Sequence, residues 1–460
     1  MRFFEVLLIF LSAIVLSNAS LPLARRQNIR NLLLFSGVIF GVHLIIEGYR
    51  WQMWPAYLLL AFLFLSREKQ FRAPPKLALL FWWALAVFLP VAVPIPNLPS
   101  PSGPFSVGTV IYHWSDSTRA EWFTEDQSDV RELMVQFWYP ANEQVRGSRA
   151  AYLDHVPLRA RAVGERVGLP ALMIQHLKLV KSHSREIAPP ADRGNPFPLL
   201  IFSHGLGGMK GQNTILMEEL ASHGYVVVAM DHPFDANMTV FPATTDSPPD
   251  GHTADYRSAI PDGTADSVWL QIRNRQLETR IADVQFVIAR TVKAKSAVRG
   301  HINFGKIGIL GHSFGGATAV LTAMRDDRIK AVAALDGWFV PFALTDEETK
   351  LNVPFLYIGQ EAWPSWNEKR HRHYLRLLKK NSSGNVFHIA IEKSRHYDFA
   401  DIPYFSPLTR VLGLTGFPSG RQMVKIVNEH SLAFFDRHLR GTELPFPPDK
   451  ADAAVLIIAD

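Results

Sequence analysis

What most narrows the folds open to this chain is the uneven distribution of its apolar residues. From about Phe3 to Pro96 it is dominated by Leu, Phe, Ala, Ile, Val and Trp, whereas the remainder mixes charge with short alternating runs. Four apolar stretches stand out: Val6 to Ala24, Leu32 to Ile46, Trp51 to Ser66, and Leu77 to Val93. Each approaches the roughly 17 to 20 residues with which a helix crosses a bilayer, the second and third being short enough to borrow flanking aromatic residues. Tyr49, Trp51 and Trp54 suit a tight turn at the membrane–water interface. The expectation is an all-α transmembrane region of about four helices over residues 1–96. His43 and Glu47, close to the end of the second stretch, are expected to reach into interfacial water. Ser17-Asn18-Ala19 resembles a cleavage site, but Arg2 has the acidic Glu5 beside it and further apolar stretches follow, so the first span is expected to be retained.

The basic residues give these spans a direction. Arg25, Arg26 and Arg30 fall between the first and second stretches, and Arg67, Lys69, Arg72 and Lys76 between the third and fourth. Lys and Arg in short loops stay in the cytoplasm, so the chain after the fourth span is expected on the extracytoplasmic side of the cell membrane. This topological role also accounts for much of the formal net charge of +6, and no nucleic-acid partner is expected. The chain has no cysteine, which excludes disulfides, thiolate zinc sites and cysteine nucleophiles. No solenoid-type repeat is present.

At 460 residues the chain is too long for one ordinary core. The segment VPIPNLPSPSGP, Val93 to Pro104, excludes regular helix, so residues 97–104 read as an extended spacer. A second unit follows over 105–445, with a tail over 446–460. In it short β-branched runs (Leu133 to Tyr139, Leu199 to Ser203, Val226 to Met230, Ile307 to Gly311, Ala331 to Leu335, Pro354 to Ile358, Val386 to Ile391) alternate with helical spacing, as in Leu270 to Val292 and Arg421 to Leu439. That alternation predicts a doubly wound, mainly parallel α/β sheet covered on both faces. Ala141 to Pro196 and Pro233 to Ser267 do not fit it, and the second is read as a rim or lid over the active site, with a disordered surface insertion as the alternative.

The strongest chemical signal is Gly311-His312-Ser313-Phe314-Gly315, between the apolar run Ile307 to Leu310 and the small-residue helix that begins at Gly316. Glycines there permit the sharp strand-to-helix turn that presents a serine hydroxyl at the carboxyl edge of a sheet. A serine hydroxyl needs a base, and the base a carboxylate to hold its tautomer. In this architecture acid and histidine follow the serine in that order, which removes Asp231 and His232. Asp336 ends the run Ala331 to Leu335 at a strand's carboxyl end. Asp326, Asp327 and Asp346 read as solvated charges. His396 follows the run Val386 to Ile391 and is the favoured base; His371 and His373 read as an exposed basic helical face, His388 as a strand residue, and His430 and His438 as parts of the last helix. Oxyanion donors are expected from the N–H of Phe314 and from Leu206 in the glycine-rich turn Ser203-His-Gly-Leu-Gly-Gly208. His204 is expected to bond within that turn.

These pieces, with Leu335-Asp-Gly-Trp338, His396-Tyr-Asp-Phe-Ala-Asp401 and Val135-Gln-Phe-Trp-Tyr-Pro140, resemble the plasma-type (group II) platelet-activating-factor acetylhydrolase family of α/β-hydrolase serine esterases. The spacing from Ser313 to Asp336 (336 − 313 = 23) fits its pattern. The resemblance implies Ser313 as nucleophile, Asp336 as acid, His396 as base, and Leu206 and Phe314 as oxyanion-hole donors. It further implies hydrolysis of short acyl esters on phospholipid-like or other amphiphilic substrates, with no cofactor or metal. Gly337, after the acid, stands where the family leads one to expect a larger residue, and the apolar N-terminal region has no counterpart in the secreted members. Two other readings remain open: acyl transfer to an acceptor other than water, and a membrane ligand sensor, whose mark would be a broken triad.

Overall fold

The structure, a computed structural model, describes residues 1–18, 26–66, 75–142, 147–192, 194–243, 251–294, 296–361, 363, 365–443, 446–448 and 454–458. Among the described residues the first hundred positions form four apolar helices, α1 (Phe3–Asn18), α2 (Arg26–Ile46), α3 (Trp54–Leu65) and α4 (Lys76–Ala92). They pack through Ile9, Met53, Ala56 and Ala86 and through Val15, Leu33, Leu59 and Leu63. Phe10, Val38, Leu58, Phe81 and Phe88 are left exposed. Among the described residues one helix, over Asn28–Ile46, is long and apolar enough to cross a membrane; the other three apolar helices are shorter. At about 1.5 Å per residue the 12 residues of α3 rise about 18 Å, short of a hydrocarbon core of about 30 Å. Ala19, Arg25, Arg67, Lys69 and Arg72 lie outside the described residues.

Two expectations about this region change. His43 is fully buried and bonded to Glu47 Oε2 (2.9 Å) and Tyr57 (2.6 Å), so polar partners inside the bundle replace water. The proline-rich segment is seated on the following unit. Leu98 is buried beside Val180 and Ile215, and Ser102 N and Gly103 N donate to Glu219 Oε2 and Ser222 Oγ.

The second unit opens with the long antiparallel pair β1 (Ser106–Ala120) and β2 (Val130–Ala141), followed by β3 (Arg149–Ala151), α5 (Val156–Val167) and β4 (Lys181–Glu186). Next come β5 (Phe197–Ser203), α6 (Thr214–Ser222) and β6 (Val226–Asp231), then the hairpin β7 (Met238–Phe241) and β8 (His252–Asp255). The chain continues through α7 (Asp266–Lys293), β9 (Ile302–His312), α8 (Phe314–Arg325), β10 (Ile329–Leu335), β11 (Phe355–Gln360), α9 (Ser365–Asn381) and β12 (Val386–Ile391). One-turn helices α10 (Ile402–Phe405) and α11 (Leu408–Val411), the long α12 (Gly420–Phe435) and β13 (Val455–Ile457) complete it.

Eleven strands form one sheet in the order β3-β4-β1-β2-β6-β5-β9-β10-β11-β12-β13. From β6 to β12 neighbouring strands are parallel. Strands covered on both faces read as continuous apolar runs, and every residue of β5 and β6 is buried. Alternation along the strand divides them between two cores. Leu199 and Ile201 join Leu277, Ile281 and Val284 of α7, whereas Leu200 and Phe202 join Leu216 and Leu220 of α6 and Phe434 of α12.

The irregular segments are less irregular than their sequence implies. Residues 141–196 contain β3, α5 and β4, and β4 and β3 extend the sheet beyond β1. Residues 233–241, expected as part of a rim or lid, are buried wall that includes Asp235, Asn237 and β7, whereas residues 244–250 of the same segment lie outside the described residues. Val455–Ile457, expected in a tail, pair with β12.

A seated proline segment has a measurable consequence. Leu98→Ala is expected to lower stability by about 2 to 4 kcal/mol, as for other buried leucines, read by chemical unfolding of the solubilised protein. A change below about 0.5 kcal/mol, typical of surface substitutions, would return the segment to a free tether.

Candidate active site

The turn from β9 into α8 holds Ser313 at φ 57°, ψ −121°, a conformation that side chains rarely adopt. Its neighbours make that backbone fit. A Cβ on Gly311 would overlap the backbone of Gly315, and one on Gly315 would overlap the carbonyl of Ser203. Ser313 N donates to Leu335 O (3.0 Å), and Ser313 O accepts from Trp338 N (2.8 Å), so the turn is tied to the end of β10.

Asp336 follows β10 with its own positive φ of 43° and is fully buried. Its Oδ1 accepts from Gln360 N (3.0 Å) and the Tyr357 hydroxyl (3.3 Å), and its Oδ2 accepts from Gln360 Nε2 (2.9 Å). Burial, with Asp336 close by, raises the Tyr357 hydroxyl well above its ordinary pKa and keeps it a donor. His396 begins the turn after β12. Its Nδ1 lies 2.6 Å from Asp336 Oδ2 and its Nε2 2.8 Å from Ser313 Oγ. A carboxylate only accepts, so Nδ1 carries the proton and Nε2 is left to accept from the serine. The structure thus brings Ser313, Asp336 and His396 together.

His312 braces this assembly from behind. Burial pushes it down to about 3, so it is neutral near pH 7, accepting from Gln212 Nε2 at Nδ1 (2.8 Å) and donating from Nε2 to His396 O (3.0 Å). His371 departs from the expected exposed face. It is 2% exposed, lies against Phe339 and meets Tyr357 at 3.1 Å, because α9 packs that face onto the sheet; His373 on the same helix is exposed. Asp326, expected in solvent, is buried and paired with Arg328.

The glycine-rich turn after β5 lies against Ser313, where a Cβ on Gly205 would stand 3.2 Å from Ser313 Cβ. Most of its N–H groups are engaged. Gly205 N donates to Gln212 Oε1, Gly207 N to Asp235 O (2.8 Å), and Gly208 N to Gly205 O. Among the described residues no acceptor is bonded to the N–H of Leu206 or of Phe314.

Helix α7 holds this turn with two residues one helical step apart. Arg280 donates from Nε to Asp235 Oδ2 (2.5 Å) and from Nη1 to His204 O (2.6 Å), with its guanidinium 4.8 Å from the centroid of Phe314. Asp283 accepts from Arg131 (3.0 and 2.7 Å) and meets His232 Nδ1 at 2.8 Å. His232 Nε2 in turn accepts from Ser203 Oγ (3.0 Å), and its backbone N–H donates to His204 Nε2. His204 also bonds Gly205 O within the turn. Ser203, His232 and Asp283 form a second Ser–His–Asp array, but each is 0% exposed, so it holds structure and meets no substrate. Burial lowers His232 to about 4; in Asp283 burial opposes ionisation, but Arg131 and His232 outweigh it and keep the carboxyl below its usual range.

Sequence reasoning missed Gln360, Tyr357, Gln212 and Arg280. Gln360 carried one signal, its place just after the run Phe355 to Ile358. Among the described residues no group of three His, Asp or Glu side chains is placed to hold a metal ion.

The sequence profile of the family described as "Platelet-activating factor acetylhydrolase, isoform II" matches residues 93–446. The platelet-activating factor acetylhydrolase of Cavia porcellus is 25% identical over 382 residues, covering 75% of this chain and 78% of that protein. A probable 1-alkyl-2-acetylglycerophosphocholine esterase of Arthroderma benhamiae is 26% identical over 336 residues, covering 68% and 79%. Among solved structures, a ferulic acid esterase from Streptomyces cinnamoneus superposes with a TM-score of 0.64 at 27% identity, covering 80% of this chain and all of that one.

The buried neutral histidines make stability pH-dependent. The unfolded chain takes up protons on histidine from about pH 6.5 downward, whereas His232 and His371 resist them to about 4 and His312 to about 3. The unfolded state therefore binds more protons in that window, and stability is lost as pH falls from about 6.5 towards 4. His232→Gln is expected to flatten this acid limb by about 1.4 kcal/mol per pH unit, read from unfolding at graded pH. A wild-type stability constant across the window would contradict the assignment.

Proposed function

This chain belongs to the platelet-activating factor acetylhydrolase, isoform II, family, and from that premise we propose that it cleaves short acyl esters of phospholipid-like or other amphiphilic substrates through an acyl-serine on Ser313. It is a carboxylic ester hydrolase on an α/β-hydrolase fold. The observation that carries the mechanism is one imidazole, that of His396, standing 2.8 Å from Ser313 Oγ and 2.6 Å from Asp336 Oδ2.

In this reading Ser313 Oγ attacks the ester carbonyl carbon as His396 Nε2 takes its proton, and Asp336 stabilises the imidazolium that forms. The carbonyl oxygen becomes an oxyanion held by the free N–H groups of Leu206 and Phe314. Collapse expels the alcohol, which receives the proton from His396. Water, giving its proton to the same imidazole, then attacks the acyl carbon; the bond to Ser313 Oγ breaks, the carboxylic acid leaves, and Oγ takes the proton back from His396. No step calls for a metal or cofactor.

Residues 1–96 are proposed as a multi-pass membrane region, 97–104 as its seated link, 105–445 as the catalytic domain and 446–460 as its C-terminal extension. The length of α2 supports membrane insertion, as do the large apolar side chains that α1, α3 and α4 turn outward. Flanking aromatic residues and local thinning of the bilayer accommodate the shorter helices. With both basic loops inside, the catalytic domain faces outward and takes esters from the membrane surface or its surroundings.

Ser313→Ala is expected to abolish fluorophosphonate labelling and lower kcat roughly 10⁴- to 10⁶-fold; His396→Ala should behave alike and Asp336→Asn lose somewhat less. Wild-type activity on short-chain esters should persist in excess EDTA. Full labelling of Ser313→Ala would end this reading. Orientation is tested by reporters active only outside the cytoplasm, fused after Pro104 or at Glu68. The Pro104 fusion should be active and the Glu68 fusion silent, and the reverse would overturn the topology.

A further inference from the structure

We propose that the junction between the helical bundle and the catalytic domain binds the phosphodiester headgroup of a bilayer glycerophospholipid, a site separate from Ser313. The proposal rests on the membrane reading given above. A cavity of about 440 Å³ at this junction is lined by Arg2, Arg50, Arg149 and Lys181, with Ile95 and Leu179 as apolar wall. Four cations face one space.

Their charge is only half compensated. Arg2 and Arg50 share Glu5, each at 2.7 Å, and Arg2 also lies 3.8 Å from Glu47. Two carboxylates therefore offset two guanidinium groups. Among the described residues Arg149 donates only to the backbone oxygens of Ser182 (2.6 Å) and Lys181 (3.4 Å), which satisfies hydrogen bonds without neutralising charge. Among the described residues the ammonium of Lys181 has no carboxylate partner. Among the described side chains the cavity is left with a surplus of two positive charges. Such a surplus in a partly enclosed space favours an anion, and arginine forks match phosphate oxygens.

Position selects the source of that anion. Arg2 precedes α1, Arg50 lies between α2 and α3, and Ile95 follows α4, so the cavity gathers the three ends of the bundle opposite the basic loops. The span Asn28–Ile46 ends just before Arg50, which puts the four cations at headgroup depth when α2 crosses the bilayer. Interfacial aromatic residues flank the same level. Lys178 Nζ sits 4.7 Å from the centroid of Tyr49, and Trp51 Nε1 donates to Met173 O (3.0 Å), joining bundle to catalytic domain at the depth where such rings prefer to lie. Phosphodiesters are the anions abundant there. Ile95 and Leu179 suit the glycerol and the first carbons of the acyl chains. A lipid in this cavity would bridge the two parts and set the catalytic domain's stance above the membrane.

The test uses the full chain, purified in detergent, stripped of lipid and titrated with phosphatidylglycerol under native mass spectrometry. Wild type is expected to retain one lipid per chain. Arg149→Gln with Lys181→Gln should weaken retention roughly 30-fold, at about a factor of five for each basic residue near a charged lipid surface. Arg149→Lys with Lys181→Arg keeps the charge and should stay close to wild type, which guards against misfolding of the glutamine variant. Excess inorganic phosphate should leave the lipid in place. Equal retention by the glutamine variant, or displacement by phosphate, would overturn the headgroup site. A carbonate wash of membranes separates this failure from that of the premise: release of wild-type protein would overturn the membrane reading and the site together, whereas an integral protein with unaltered retention would sink the site alone.

Discussion

The Ser313–His396–Asp336 arrangement depends on how closely three strands and one helix approach around Ser313. The turn from β9 to α8 fits only because Gly315 lies against the Ser203 carbonyl and Gly316 against Gly337, where an added Cβ would stand 2.7 Å from Gly337 Cα. Gly337 is similarly confined, since a Cβ there would meet Ala334 Cβ at 2.9 Å and the Phe339 ring at 3.0 Å. These contacts let α8 start directly after Ser313, and they bring the ends of β5, β9 and β10 together. Strain at Ser313 and Asp336 is tolerated because neighbouring backbone hydrogen bonds hold both residues.

Charge supplies the second constraint. Arg131, Arg280, Asp235 and Asp283 are all buried beneath the glycine-rich turn, where an unpaired charge would cost several kcal/mol. Each is paired, and the pairs lead from α7 to both ends of the turn, through Asp235 to Gly207 and through His232 to His204. Donors fixed in advance need not reorganise when charge develops on a substrate oxygen, which is the physical merit of a rigid oxyanion site. The same network explains why the start of the long segment after His232 is buried wall. Its Asp235 and Asn237 are bonded to the turn they support.

The bundle and the α/β domain meet through polar contacts as well as apolar ones. Ser406 Oγ donates to Ala92 O and Trp51 Nε1 to Met173 O, while Arg50 holds the end of α4 by donating to Val93 O. With Leu98 buried and the proline segment bonded to α6, the link between the two parts is laid along the catalytic domain. The active site therefore has a defined relation to the helices.

Much of this was legible in the sequence because it is local. Strands buried on both faces must be continuous apolar runs, and a sharp strand-to-helix turn must be lined with glycine, so β5, β6, β9, β10 and the Ser313 turn could be read directly. Asp336 and His396 were legible through chain order and strand ends. Strands at the far edge were not: β1 and β4 expose alternate polar residues and are defined by pairing with partners elsewhere in the chain. The fates of the histidines were likewise beyond local reading. His371 and His373 are two residues apart in one basic run, yet packing of α9 buries the first against Phe339 and leaves the second in water. The sequence by itself determined which residues can carry ester chemistry and in what order they come. Only the tertiary structure decided what holds them, since Gln360 at Asp336, Gln212 at His312 and Arg280 beneath the glycine-rich turn act across 24, 100 and 76 residues of chain.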